Sequence, residues 1–245
     1  MSARVFRDGR VEIVVPRRAR ADDVARFVSQ QREWIERTRD RALIVGSMQP
    51  VADLRLPVPQ LRLAAVSERW LIEHEPIGLD ANGSGARLVE VSSIARSDRS
   101  GWAGDATGVL RLRARTADQS AMRRLLIDWL RERLRSVAME RLPALASSMD
   151  ADFSAVRIGC QRSRWGSCSR QGTISLNCCV LFQRPEVLRY LMVHELAHRR
   201  HMNHSAHFWQ HVAAHEPDWR GLDRELTQGW RQVPGWIFAG TEVMA

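Results

Sequence analysis

The chain has 245 residues and a mass of 28.0 kDa, enough for one large domain or two small ones, each with a real core. At 44% hydrophobic and 27% charged, with 15 Gly and 9 Pro, the composition excludes collagen, coiled coil and disorder. The formal net charge is +9, and every one of the 37 basic residues is Arg, as a GC-rich coding sequence gives, so the sequence pI near 11.0 partly reflects Arg chemistry and not a partner.

Two β-prone runs, Ala3 to Arg7 and Arg10 to Val15, flank Asp8-Gly9, a pair that tolerates positive φ and so predicts a hairpin closed by Pro16. From Asp22 to about Leu43, Val24, Phe27, Val28, Trp34 and Ile35 recur at helical spacing and predict an amphipathic helix. Short β-like runs follow at Gln60 to Val66, Arg69 to His74, Arg87 to Val91 and Val109 to Arg113, with a surface turn at Asn82 to Gly85. Residues 1–115 thus read as a β-rich N-terminal region with one helix.

A second regime, residues 116–245, opens with Thr116 and Gln119 as a capping box. Met122, Leu125, Leu126, Trp129, Leu130, Leu134 and Val137 then mark a long helix with an Arg-rich outer face. Strands are expected at Ala155 to Gln161 and Thr173 to Val180, separated by a loop from Ser163 to Gly172. Pro185 suits the first turn of a helix running to about Arg200. The fold class expected is α+β.

That helix carries His194-Glu195-Leu196-Ala197-His198. Residues i and i+4 share one helix face, so the two imidazoles converge on one metal ion while Glu195 stands beside it without ligating. An HExxH pattern arises by chance in roughly 1 to 2% of sequences of this composition, so a third ligand is needed. His201 lies about 10.5 Å along a straight helix from His194, too far for easy convergence. His204 is the better candidate, because Asn203 tolerates the left-handed conformation that ends a helix and turns the chain back. Three histidines and a water form an open, catalytic zinc site rather than a closed structural one. Zinc lowers the pKa of that water, Glu195 takes its proton, and a peptide carbonyl is attacked.

The sequence resembles the YgjP-like branch of the SprT-like zinc metallopeptidases. The resemblance is carried by Arg164-Trp165-Gly166-Ser167-Cys168, Gly172, Ile174, Asn177, Tyr190, the HExxH segment, Met202-Asn203-His204-Ser205 and Phe208-Trp209. Asp8-Gly9-Arg10-Val11 and Val15-Pro16-Arg17-Arg18-Ala19 also look like that family's N-terminal region, while residues 44–115 match weakly. The resemblance implies a zincin-like catalytic domain, one Zn2+ held by His194, His198 and His204, Glu195 as general base, and a polypeptide substrate.

Other residues admit two readings each. Tyr190, one turn before His194, is read as a packing or positioning group, or as a stabiliser of an oxyanion. Cys168 is read as a loop-stabilising thiol, or as a further ligand. The segment around Ser167 and Asn177 is an edge that binds an extended peptide, or a hairpin packed on the active-site helix. His207, His211 and His215, after the N-cap Ser205, form a polar stripe or a second metal site. Residues 153–204 hold 8 Arg against 2 acids, so a DNA-associated protease is a rival function. A zinc-stabilised binding protein without turnover is another. No run approaches the roughly 18 apolar residues of a membrane span, and no signal peptide is read. The four cysteines, including adjacent Cys178 and Cys179, are expected to be reduced thiols in a cytoplasm.

Overall fold

Leu61 and Leu63 are buried while Gln60 and Arg62 are exposed, the period-two pattern of a half-buried strand. This strand belongs to a computed structural model that describes residues 2–5, 11–15, 19–46, 55–77, 86–92 and 107–239. At the amino terminus, β1 (Ser2–Val5) and β2 (Val11–Val14) pair antiparallel with Val5 opposite Val11, as a hairpin requires. The expected turn at Asp8-Gly9, Pro16 and the Asn82 to Gly85 turn lie outside the described residues. The amphipathic helix follows as α1 (Ala21–Gly46).

Four strands form the larger sheet: β3 (Gln60–Leu63), β4 (Glu68–Pro76), β5 (Arg87–Ser92) and β6 (Gly108–Ala114), in the order β3-β4-β6-β5. The β3–β4 and β5–β6 pairs are antiparallel, and β4–β6 is parallel. β3 stops short of Val66 because Ala64–Val66 winds into a 3-10 turn and Ser67 takes φ 55°. Leu110, Leu112 and Ala114 point into the core, while Arg111 and Arg113 pair across the strands with Glu73 (3.0 Å) and Glu75 (2.7 Å).

The long helix α2 (Gln119–Ser148) buries Met122, Leu126, Leu130, Leu134, Val137 and Leu142, a continuous stripe at helical spacing. Its cap is Asp118, whose carboxylate accepts the Ala121 N–H at 2.9 Å, and not the expected Thr116. Asp is the stronger cap and stands where the helix begins. Gln119 instead holds the backbone of Leu56 through N–H (2.7 Å) and C=O (2.8 Å).

A second, three-stranded sheet follows: β7 (Ala155–Gly159), β8 (Gly166–Cys168) and β9 (Thr173–Asn177), in the order β7-β9-β8. β7 runs parallel to β9, and β8 is antiparallel to it. β8 lies within the segment expected as loop, and β9 ends at Asn177, where Cys178–Phe182 winds into a 3-10 turn. Three further α-helices follow: α3 (Pro185–Ala197), α4 (Ala206–His215) and α5 (Trp219–Gln228). One apolar core runs from Leu63 and Leu112 through α2 to Ile174, Leu176 and the α3 residues Val187 to Leu196. The arrangement is α+β, a sheet-rich N-terminal part followed by helices, consistent with the zincin-like domain expected. No helix among the described residues is long and apolar enough to cross a membrane.

Candidate metal centre

Pro185 opens α3, and Val187, Leu188, Tyr190, Leu191, Met192, Val193, Leu196 and Ala197 are all buried. A helix covered on nearly every side sits inside a domain, so the polar residues it carries need specific partners. The helix ends at Ala197, short of the expected Arg200. The N–H groups of Arg199 and Arg200 reach back only three residues, to Leu196 (2.9 Å) and Ala197 (3.1 Å). This tightened turn, followed by a bend at Met202 and Asn203, returns the chain to α3. The left-handed turn expected at Asn203 is absent: among the described non-glycine residues only Ser67 and Asp150 have positive φ. Ser205 then caps α4 as expected, its hydroxyl accepting the Phe208 N–H at 3.4 Å.

The result brings His194, His198 and His204 together, with one ligand atom from each within 4.8 Å of the others. The Nε2 atoms of His194 and His204 are 3.1 Å apart. Two nitrogens bound tetrahedrally at ~2.05 Å from one zinc ion would stand ~3.3 Å apart, so the donor set fits a metal of that size. Phe208, fully buried, lies under all three rings, with centroid distances of 5.0, 4.6 and 4.8 Å. Trp209 stacks on His204 at 5.5 Å and on Trp219 at 4.2 Å.

Hydrogen bonds behind the rings set their tautomers. His198 Nδ1 is 3.0 Å from the carbonyl oxygen of His201 and donates to it, leaving Nε2 with its lone pair. His194 Nδ1 is 3.3 Å from the Tyr190 hydroxyl, which donates to Asp223 Oδ1 at 2.9 Å. Tyr190 therefore links the His194 ring to Asp223. Burial lowers the pKa of His198, which favours its neutral, ligating form.

Glu195 is 4% exposed, and burial pushes its carboxyl up to about 8 against the opposing pull of Arg164. Its Oε2 is buried and has no hydrogen-bond partner among the described residues. The carboxylate shares with the three histidines a cavity of about 370 Å³, whose walls include Arg164, Gly166, Ser167, Cys168, Trp209 and Asp223. Trp165 anchors the start of β8 by stacking on Trp230 at 4.0 Å.

Residues 73–229, well over half of the chain, match the YgjP-like metallopeptidase domain. The chain belongs to that family. No curated protein and no solved structure was found to match it.

In this YgjP-like domain the match begins within β4, so it takes in part of the region where the sequence resemblance was weak. Cys168 stays outside the ligand group; its thiol donates to the Ser169 carbonyl at 3.4 Å, and burial beside Glu195 raises its pKa. His201 contributes its backbone carbonyl to His198, while its ring stands 6.2 Å from His207 and 6.0 Å from His211. Among the described residues, the His207, His211 and His215 stripe forms no group of three close donors. The residue that sequence reasoning missed is Asp223. Its signal was faint: an acid next to Leu222 and three residues before Leu226, at the edge of the buried stripe of α5.

Proposed function

We propose that the chain is a zinc-dependent peptidase, with one zinc ion at His194, His198 and His204 and Glu195 as the general base. The observation that carries this reading is the convergence of three imidazoles beside a buried carboxylate whose Oε2 lacks a partner among the described residues. When bound, zinc supplies Lewis acidity to a water and to the scissile carbonyl. Glu195 accepts the water's proton at its free oxygen and passes it to the leaving amine. Tyr190 and Asp223 hold His194 in place, as the His201 carbonyl does for His198.

β8 stands at the edge of its sheet and lines the cavity, so an extended polypeptide laid along Gly166–Cys168 would pass in front of Glu195. The Arg excess of residues 153–204 is partly answered inside the fold. Arg184 pairs with Glu225 (2.6 Å), Arg199 with Asp152 (3.2 Å), Arg189 with Glu216 and Arg200 with Asp150, all acids outside that segment. This favours a peptidase without a DNA tether over the DNA-associated alternative. The test is Glu195→Gln. Hydrolysis of a peptide library is expected to fall by ~10²- to 10⁴-fold with metal content retained. Undiminished cleavage would remove Glu195 from its role.

A further inference from the structure

Besides the histidines, one other group of three ligand-type side chains among the described residues has its donor atoms within 4.8 Å of one another: Cys160, Cys178 and Cys179. The parallel pairing of β7 with β9 creates it. Gly159 stands opposite Asn177, so the next residues, Cys160 and Cys178, leave the sheet side by side. Asn177 ties the two exits together. Its Nδ2 donates to the carbonyls of Gln161 (2.5 Å) and Arg164 (2.9 Å), and its Oδ1 accepts the Cys179 N–H (3.0 Å).

The sulfurs of Cys160 and Cys179 are 4.0 Å apart. That is about twice the ~2.05 Å of a disulfide bond. It is close to the ~3.8 Å between two thiolates on one tetrahedral zinc ion with ~2.3 Å bonds. Cys178 and Cys179 are fully buried, and Cys160 is partly exposed, which leaves a route from solvent. Arg131 of α2 adds positive charge beside the thiols, and its Nε is buried with no hydrogen-bond partner among the described residues.

We propose that Cys160, Cys178 and Cys179 form a second metal site, separate from the histidine centre, for a thiophilic closed-shell cation, Zn2+ or Cu+. Three sulfurs with no nitrogen or oxygen donor in the group select soft cations over magnesium, calcium or manganese. Binding displaces the thiol protons to solvent and joins the ends of β7 and β9 through the metal.

The test loads the metal-free full chain, kept reduced and anaerobic, with Zn2+ in one arm and Cu+ in the other, and counts metal per chain after excess is removed. A zinc site gives two zinc equivalents in the wild type and one in Cys160→Ser. A copper site gives one zinc equivalent in both proteins and a copper equivalent that Cys160→Ser loses. Identical metal counts for the two proteins in both arms overturn the proposal. X-ray absorption of the loaded wild type needs no variant: sulfur scatterers support the site, and a spectrum of nitrogen and oxygen alone refutes it. Loss of two of the four thiols before loading, counted in denaturant, would mean a disulfide and also overturn it. Cys160→Ser should keep the peptide hydrolysis of the wild type, which separates this result from the fate of the histidine centre.

Discussion

A Cβ atom added to Gly166 would stand 2.8 Å from Cδ and 3.0 Å from Cγ of Glu195. Strand β8 thus lies directly on the Glu195 side chain, and only a residue without a side chain allows that approach. In Gly166→Ala the yielding group is the end of a flexible side chain lining a cavity, so the carboxylate moves and the backbone stays. Displacements of about 1 Å cost on the order of 10²-fold in rate. We expect kcat to fall by about that factor while thermal unfolding shifts little. Wild-type kcat in Gly166→Ala would show that the contact does not position the base.

Tyr190 relays between His194 and Asp223, its hydroxyl at 3.3 Å from the first and 2.9 Å from the second. Removing an outer partner of a metal-bound histidine typically costs 10- to 100-fold in affinity. Tyr190→Phe and Asp223→Asn should each weaken zinc binding by roughly 10-fold or more in a competition titration. At saturating zinc, Tyr190→Phe is expected to retain most of its kcat. A collapse of kcat at full occupancy would assign the phenol to oxyanion stabilisation instead.

Phe208 is the shared floor of three imidazoles and is wholly buried. Its truncation leaves a cavity where the three imidazole rings rest. Phe208→Ala should destabilise the fold by about 3–5 kcal/mol, read from urea unfolding, and weaken metal binding as well. Phe208→Leu should recover most of the stability. A Phe208→Ala protein as stable as wild type would show that the rings are held by other contacts.

Arg184, at the start of α3, donates two hydrogen bonds to Glu225 on α5 (2.7 and 2.6 Å) and holds that carboxyl below its ordinary value. A depressed folded value means that the pair stabilises the fold above the unfolded carboxylate pKa, ~4.3. That contribution disappears as pH falls through the lower folded value. Stability measured from pH 5 downward should therefore fall less steeply in Glu225→Gln than in wild type. Parallel curves would show that the pair contributes nothing to acid sensitivity.

The elements most legible in the sequence are those whose signal is local. Gln60 to Leu63 alternates, Met122 to Leu142 keeps a helical stripe, and His194 and His198 share a face by spacing alone. β8 was legible only as an edge or hairpin around Ser167 and Asn177 inside an expected loop, because Gly166-Ser167-Cys168 has no apolar alternation and becomes a strand only by pairing with β9. His204 was placed correctly beside the other two rings, but by a different backbone route, a tightened helix end instead of a left-handed Asn203. Asp223 and the cluster of Cys160 with Cys178 and Cys179 depend on contacts between distant segments, and no local pattern announces those.

The bend beyond α3 has functional meaning only if His204 completes the ligand set. The most direct measurement is zinc affinity of His204→Ala against wild type in a buffered chelator titration, with peptide hydrolysis followed on the same samples. Loss of one zinc equivalent together with loss of cleavage is the result predicted. A variant that binds zinc as tightly as wild type and still cleaves would contradict the three-histidine centre.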